Sequence, residues 1–180
     1  MPRPTDRKAG TVADPAHLAD RAAIHDLIAA YSLAYDCGDY ATLGDLFTED
    51  ARYAFTPAPD SFPPYVAGRE NIVAAMSALR GHHLETRKAH QRHFTTNTFI
   101  IRLGKDTAEV RSLMCVGFAL VDGGQEFSRS GVYADVLAKE GDRWRIADRH
   151  LWLRELPPLY GVLDTDRQPA PDPTTPGRPM

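Results

Sequence analysis

The sequence predicts an α+β fold in which three N-terminal helices pack against a strongly curved antiparallel sheet. Two observations carry that expectation. Apolar residues recur at three- and four-residue steps early in the chain, whereas residues 91–156 read as four long strand segments joined by short turn signals. Proline gives the second observation: of fourteen prolines, none lies between Tyr65 and Leu156. A stretch without proline keeps every backbone N–H available for strand pairing.

The elements follow in order. Pro15 suits the first turn of a helix. Beyond it Leu18, Ala22, Ile24, Leu27, Ile28, Tyr31 and Tyr35 keep a helical step, giving an amphipathic first helix. Gly38 is placed to end that helix, and Asp39 to cap a short second one from Tyr40 to Phe47. Ala51 to Phe55 reads as a first strand. A proline-rich loop, Thr56 to Ala67, then leads to a third helix from Arg69 to Arg80, with Ile72, Val73, Met76 and Leu79 as its apolar residues. A polar loop containing His82 and His83 follows. The four strands are expected at 91–103, 107–121, 125–139 and 143–156. Their connections, at Gly104–Asp106, Asp122–Gly124 and Gly141–Asp142, are too short for anything but antiparallel neighbours. One domain is expected over 15–156. It is flanked by a flexible tail over 1–14 and a proline-rich segment over 157–180, whose first part, Pro157 to Leu163, is placed to act as a pocket lid.

Composition narrows the partners. A formal net charge of −3 with both signs scattered argues against nucleic acid or an anionic membrane surface. The longest apolar run, Leu113 to Val121, is far too short to span a bilayer. The first residues carry charges but no apolar core of a signal peptide, and Cys37 and Cys115 read as reduced thiols, so a cytoplasmic location is expected. Segment 107–121 is apolar on both faces. A small domain with few helices covers one face, and a homodimer partner is expected to cover the other.

Asp36 raises the first chemical question. It falls in the last turn of the first helix, where the dipole disfavours a carboxylate, and no basic residue stands three or four positions before it. It is either a solvated acid at a fraying end or a partly buried carboxylate held for a cation. His93 is the candidate cation, sharing a strand face with Thr95, Asn97, Phe99 and Ile101. A structural histidine bonded to a carbonyl is the other reading. His90 and His93 point to opposite faces of a strand and cannot easily grip one ion, so no metal site is expected. Glycine-rich nucleotide cradles and a nucleophile elbow are absent, and Ser128 and Ser130 lack a local activator. Tyr53, Arg129 and Tyr133 are candidate pocket donors, and either parity could turn His150 inward.

At this point the residues carry a resemblance. Asp20, Ile24, Leu27, Tyr31, Tyr35, Asp36, Gly38, Asp39, Leu43, Leu46, Phe47, Asp50 and Ala51 form a pattern that resembles the first two helices of SnoaL-like proteins in the nuclear transport factor 2-like superfamily. Gly68–Ile72 is similar to that family's third-helix start, Arg92–Asn97 to its histidine strand, and Gly141–Ile146 to its last hairpin. The resemblance covers about residues 16–155. It implies a cone-shaped α+β barrel with a pocket at its open end. It also implies kinship with scytalone dehydratase, bile acid 7α-dehydratase, hexachlorocyclohexane dehydrochlorinase and polyketide cyclases. Several eliminating members use an Asp–His pair, onto which Asp36 and His93 fall, with Tyr31 and Arg149 similar in place to further catalytic residues. The second histidine of scytalone dehydratase has no counterpart in Leu113–Phe118.

The resemblance therefore implies a lyase or cyclase of secondary metabolism that needs no cofactor and acts on a largely apolar, oxygenated small molecule. Its catalytic residues would be Asp36, His93, Tyr31 and Arg149. Tyr53, Phe55, Met76, Asn97, Met114, Val116, Phe118, Arg129 and Tyr133 would bind the substrate. A non-catalytic binding or assembly module of the same fold is the alternative. An epoxide hydrolase is a third, disfavoured because Asp148 and Arg149 are adjacent and point apart.

Overall fold

The computed structural model describes residues 15–58 and 62–154. The chain runs α1 (Pro15–Cys37), α2 (Tyr40–Asp45), β1 (Phe47–Thr56), β2 (Tyr65–Ala67), α3 (Arg69–Arg87), β3 (Ala89–Leu103), β4 (Thr107–Leu120), β5 (Gln125–Glu140) and β6 (Arg143–Trp152). The six strands form one sheet in the order β2-β1-β6-β5-β4-β3. The sheet is mixed and does not close, because β2 and β3 each have a neighbour on one side only. The helices pack on its inner face. The tail expected over 1–14, the segment over 157–180 and its lid lie outside the described residues.

The helical stripe of α1 buries Ile24, Leu27, Ile28, Tyr31 and Tyr35, while Leu18 at its start stays 55% exposed. Gly38 ends the helix at φ 75°, donating to the Tyr35 carbonyl at 3.1 Å. Only glycine adopts that backbone freely. Asp39 then caps α2 by accepting from the Thr42 N–H at 3.0 Å.

Four sequence expectations need correction. First, α2 stops at Asp45 and β1 starts at Phe47, because Phe47 is fully buried and pairs with Ile146. Second, α3 continues past Arg80 to Arg87, so His82 and His83 are helical. Ile72, Met76, Leu79 and His83 form one buried stripe, and Lys88 ends the helix in the left-handed region at φ 51°. Third, the sheet is not wholly antiparallel, since β1 lies parallel to β6. Turn signals speak only for strands joined by a turn, and these two are distant in sequence. Fourth, β3 has an irregularity between Thr96 and Phe99, where Asn97 takes φ 50°. That bulge reverses the parity beyond it. Ile100 is therefore buried, and Phe99 is 43% exposed.

Strand β5 meets β6 closely at Gly131, where a Cβ would clash with the Trp152 carbonyl oxygen. On the outer face, Phe94 and Phe127 are 61% and 70% exposed, and Leu113 is also exposed. Among the described residues no helix is long and apolar enough to cross a membrane.

Candidate active site

Asp36, at the end of α1, reaches His93 near the start of β3. Its Oδ1 lies 2.6 Å from His93 Nδ1, and its Oδ2 accepts the His93 backbone N–H at 2.7 Å. The two side chains are 7% (His93) and 11% (Asp36) exposed. A carboxylate only accepts, so His93 Nδ1 carries a proton in either charge state of the ring. In the neutral ring Nε2 then holds the lone pair, on the imidazole that lines the cavity. The C-terminal carbonyl of this helix end also finds a cation, because Arg80 from α3 donates to the Asp36 carbonyl oxygen at 3.4 Å. The compensation missing from α1 itself comes from two other elements.

Packing fixes the pair. One turn earlier on α1, the Ser32 hydroxyl meets the Thr95 hydroxyl at 2.7 Å, tying α1 to β3. The Tyr35 ring stands edge-on to the His93 ring at 5.1 Å, and its hydroxyl donates to Gln91 Oε1 at 3.0 Å.

The cavity beside His93 encloses only about 30 Å³ and opens through a wider mouth to solvent. Tyr31, Tyr53, Phe55 and Met76 line one part of it; Met114, Val116, Arg129 and Tyr133 line another. Sequence reasoning missed four lining residues: Tyr35, Leu79, Gln91 and Leu151. Leu79 and Tyr35 were on recognised helical stripes. Gln91 was legible only as the residue two before His93 on the same face.

Three buried tyrosines meet at the inner end. Tyr31 donates to the Tyr53 hydroxyl at 3.3 Å, and its ring stands edge-on to Tyr133 at 5.8 Å. Burial pushes all three phenols above their ordinary pKa, so they are neutral donors and not bases.

Three expected site residues are placed elsewhere. Arg149 points inward but does not line the cavity. Its guanidinium sits 4.0 Å over the Tyr31 ring and 4.1 Å over the Tyr133 ring. Asp135 grips it twice, at 2.7 and 2.8 Å, with both residues at 0% exposure. Burial alone would lower its pKa, but the Asp135 charge and hydrogen bond and the two phenols hold it above the ordinary value. It belongs to the wall's support, and its place in direct contact with substrate is withdrawn. Asn97 is exposed at the β3 bulge, and Phe118 is buried under α3 beside His83, so neither lines the cavity. His150 lies on the outer side, half-buried, with its Nε2 2.7 Å from the Thr56 hydroxyl.

His83 is the unexpected group. It is 7% exposed, stands edge-on to Phe118 at 5.2 Å, and has a hydrogen-bond partner at neither ring nitrogen among the described residues. Burial, aided by the charge of Arg129, pushes its pKa down to about 4, so the ring is neutral near pH 7. Its signal in the sequence was the four-residue step from Leu79. His90 is exposed, on the face opposite His93, and no group of three or more potential ligand residues is placed to hold a metal among the described residues.

A family model described as the SnoaL-like domain matches residues 16–150. The chain belongs to that family. Among solved structures, this SnoaL-like chain is similar to Rv3472(D26N) of Mycobacterium tuberculosis, a protein of unknown function, at 27% identity. That match covers 81% of this chain and 79% of the other, with a TM-score of 0.64. A Novosphingobium aromaticivorans protein provisionally assigned as a scytalone dehydratase is 22% identical, covering 78% and 87% of the two chains with a TM-score of 0.62. ActVI-ORFA of Streptomyces coelicolor is 23% identical, covering 75% and 97% with a TM-score of 0.63. At such identities these last two matches speak for the fold. No functionally curated protein matches the SnoaL-like chain.

Proposed function

We propose that this SnoaL-like protein is a lyase or cyclase that works by proton abstraction without a cofactor. The observation that carries the reading is the Asp36 carboxylate accepting both the ring and the backbone N–H of His93, on an imidazole that lines the cavity. His93 Nε2 takes a proton from carbon next to a carbonyl or a leaving group, and Asp36 stabilises the imidazolium that forms. The Tyr53 hydroxyl, which accepts from Tyr31, keeps its own proton to donate to the developing enolate oxygen. The enolate then either expels hydroxide, which takes the Nε2 proton and leaves as water, or its carbon attacks a second carbonyl of the substrate, whose alkoxide oxygen takes that proton to give a cyclised alcohol. A lining rich in aromatic and methionine side chains suits a largely apolar polyketide- or terpenoid-like substrate. A fold relative provisionally assigned as a scytalone dehydratase is in keeping with a dehydration.

Wild-type protein in D2O should exchange the acidic carbon proton of a bound cyclic ketone, and His93→Ala should slow that exchange by about 10² or more. Undiminished exchange in His93→Ala would sink the reading. The polar groups converging on the cavity favour this enzyme over a passive binding module.

A homodimer through the outer face of β3, β4 and β5 is part of the same proposal, since Phe94, Leu113 and Phe127 are exposed together there. Light scattering at micromolar concentration should give twice the chain mass, and a monomer would overturn the dimer.

A further inference from the structure

Two basic side chains line the cavity, and only one of them is matched. His93 is engaged by Asp36, whereas Arg129, half-buried on β5, has neither a hydrogen bond nor an ion pair with any described residue. The strand register places the two in line. His93 pairs with Val116 on β4, and Val116 pairs with Arg129 on β5. Their backbones are thus two strand spacings apart, about 10 Å, on the same inner face.

Among the described residues no acid pairs with Arg129, since Glu126, near it on β5, is engaged by Arg87. Gln91 is buried beside His93, with its carbonyl oxygen taken by the Tyr35 hydroxyl, which leaves its amide N–H groups as donors. His83, whose pKa the Arg129 charge helps to depress, is buried, neutral and without a partner on either nitrogen. Asp36, the carboxylate behind His93, does not itself line the cavity and is spent on His93. One side therefore collects donors and an uncompensated positive charge. The rest of the lining, with Phe55, Met76, Met114 and Leu151, is apolar.

We infer that Arg129 anchors a carboxylate on the ligand, so that the substrate is an apolar organic acid and not a neutral molecule. The guanidinium fork matches a carboxylate with two parallel N–H···O bonds, and the apolar remainder of the lining suits an organic acid better than a phosphate. Held there, the ligand lays its next few carbons over Val116, toward Nε2 of His93. The inference rests on the proposed function only in taking this cavity as the substrate site.

Binding of 2-naphthoate and of its neutral counterpart 2-naphthamide, followed by calorimetry, tests it without any turnover. Wild-type protein should bind the naphthoate at least about tenfold more tightly, as expected for a charge-assisted pair. Arg129→Gln should remove that preference while keeping its affinity for the amide, which also reports that the variant is folded. Arg129→Lys should keep part of the preference. Equal wild-type affinities, binding of neither probe at millimolar concentration, or a preference that survives in Arg129→Gln would each overturn the anchor. Naphthoate preference in a protein that exchanges no carbon protons would keep the anchor and refute the chemistry, whereas exchange without preference would do the reverse.

Discussion

Asp36→Asn should lower turnover by about 10³-fold or more and move the His93 proton from Nδ1 to Nε2. The reason lies in the two bonds that Asp36 accepts. Its Oδ1 faces His93 Nδ1, and its Oδ2 faces the His93 backbone N–H. An asparagine has one accepting oxygen, and the backbone N–H cannot change its role. The amide oxygen must therefore meet the backbone, which turns the NH2 group toward Nδ1. That nitrogen then has to accept, so the neutral ring carries its proton on Nε2, and the atom meant to receive a proton from substrate is already occupied. Ring ¹⁵N shifts in a long-range ¹H–¹⁵N spectrum distinguish the two tautomers directly. Wild type should show a protonated Nδ1 and the variant a protonated Nε2. An unchanged tautomer with unchanged turnover would mean that the carboxylate does not control the ring.

How far the site was legible depended on the kind of information each contact needs. That Asp36 and His93 meet could be anticipated, because a charge in the last turn of an otherwise apolar helix has few places to go. The cap at Asp39 and the α1 stripe from Ile24 to Tyr35 are local features and stand as read, whereas Leu18 and Ala22, at the start of that stripe, are exposed. Contacts that depend on register were harder. The bulge at Asn97 turned Phe99 outward and removed Asn97 from the site, since one extra residue reverses every side chain beyond it. The parallel pairing of β1 with β6 brings Tyr53 level with Arg149, and no turn signal encodes a pairing between strands so distant in sequence. Arg149 was recognised as a candidate, but its partner Asp135 was not. Their pairing rests on β5–β6 register next to an irregularity between Val136 and Leu137. A cation that looked like a substrate contact from sequence is consumed by a buried acid.

That buried pair supplies the largest expected effect on stability. Asp135→Asn should cost about 3–5 kcal/mol, because it strands the Arg149 guanidinium in the core without a counter-charge. Against a typical stability of about 5–15 kcal/mol, such a loss brings the domain close to unfolding, and the urea midpoint should drop by about 1–3 M. A loss below about 1 kcal/mol would show that the guanidinium finds water or another acceptor. Replacing both partners by apolar residues, Asp135→Leu with Arg149→Met, should recover most of the stability, since no buried charge remains unpaired. The double variant also separates two roles of Arg149. The guanidinium holds the Tyr31 and Tyr133 rings in place, and its charge partly offsets the rise in the Tyr31 pKa that burial causes. If packing is its whole contribution, the repacked double variant should stay folded and keep its turnover. If the charge makes Tyr31 a better donor to Tyr53, and Tyr53 in turn to the enolate oxygen, turnover should fall at constant stability, with the loss in kcat and not in KM.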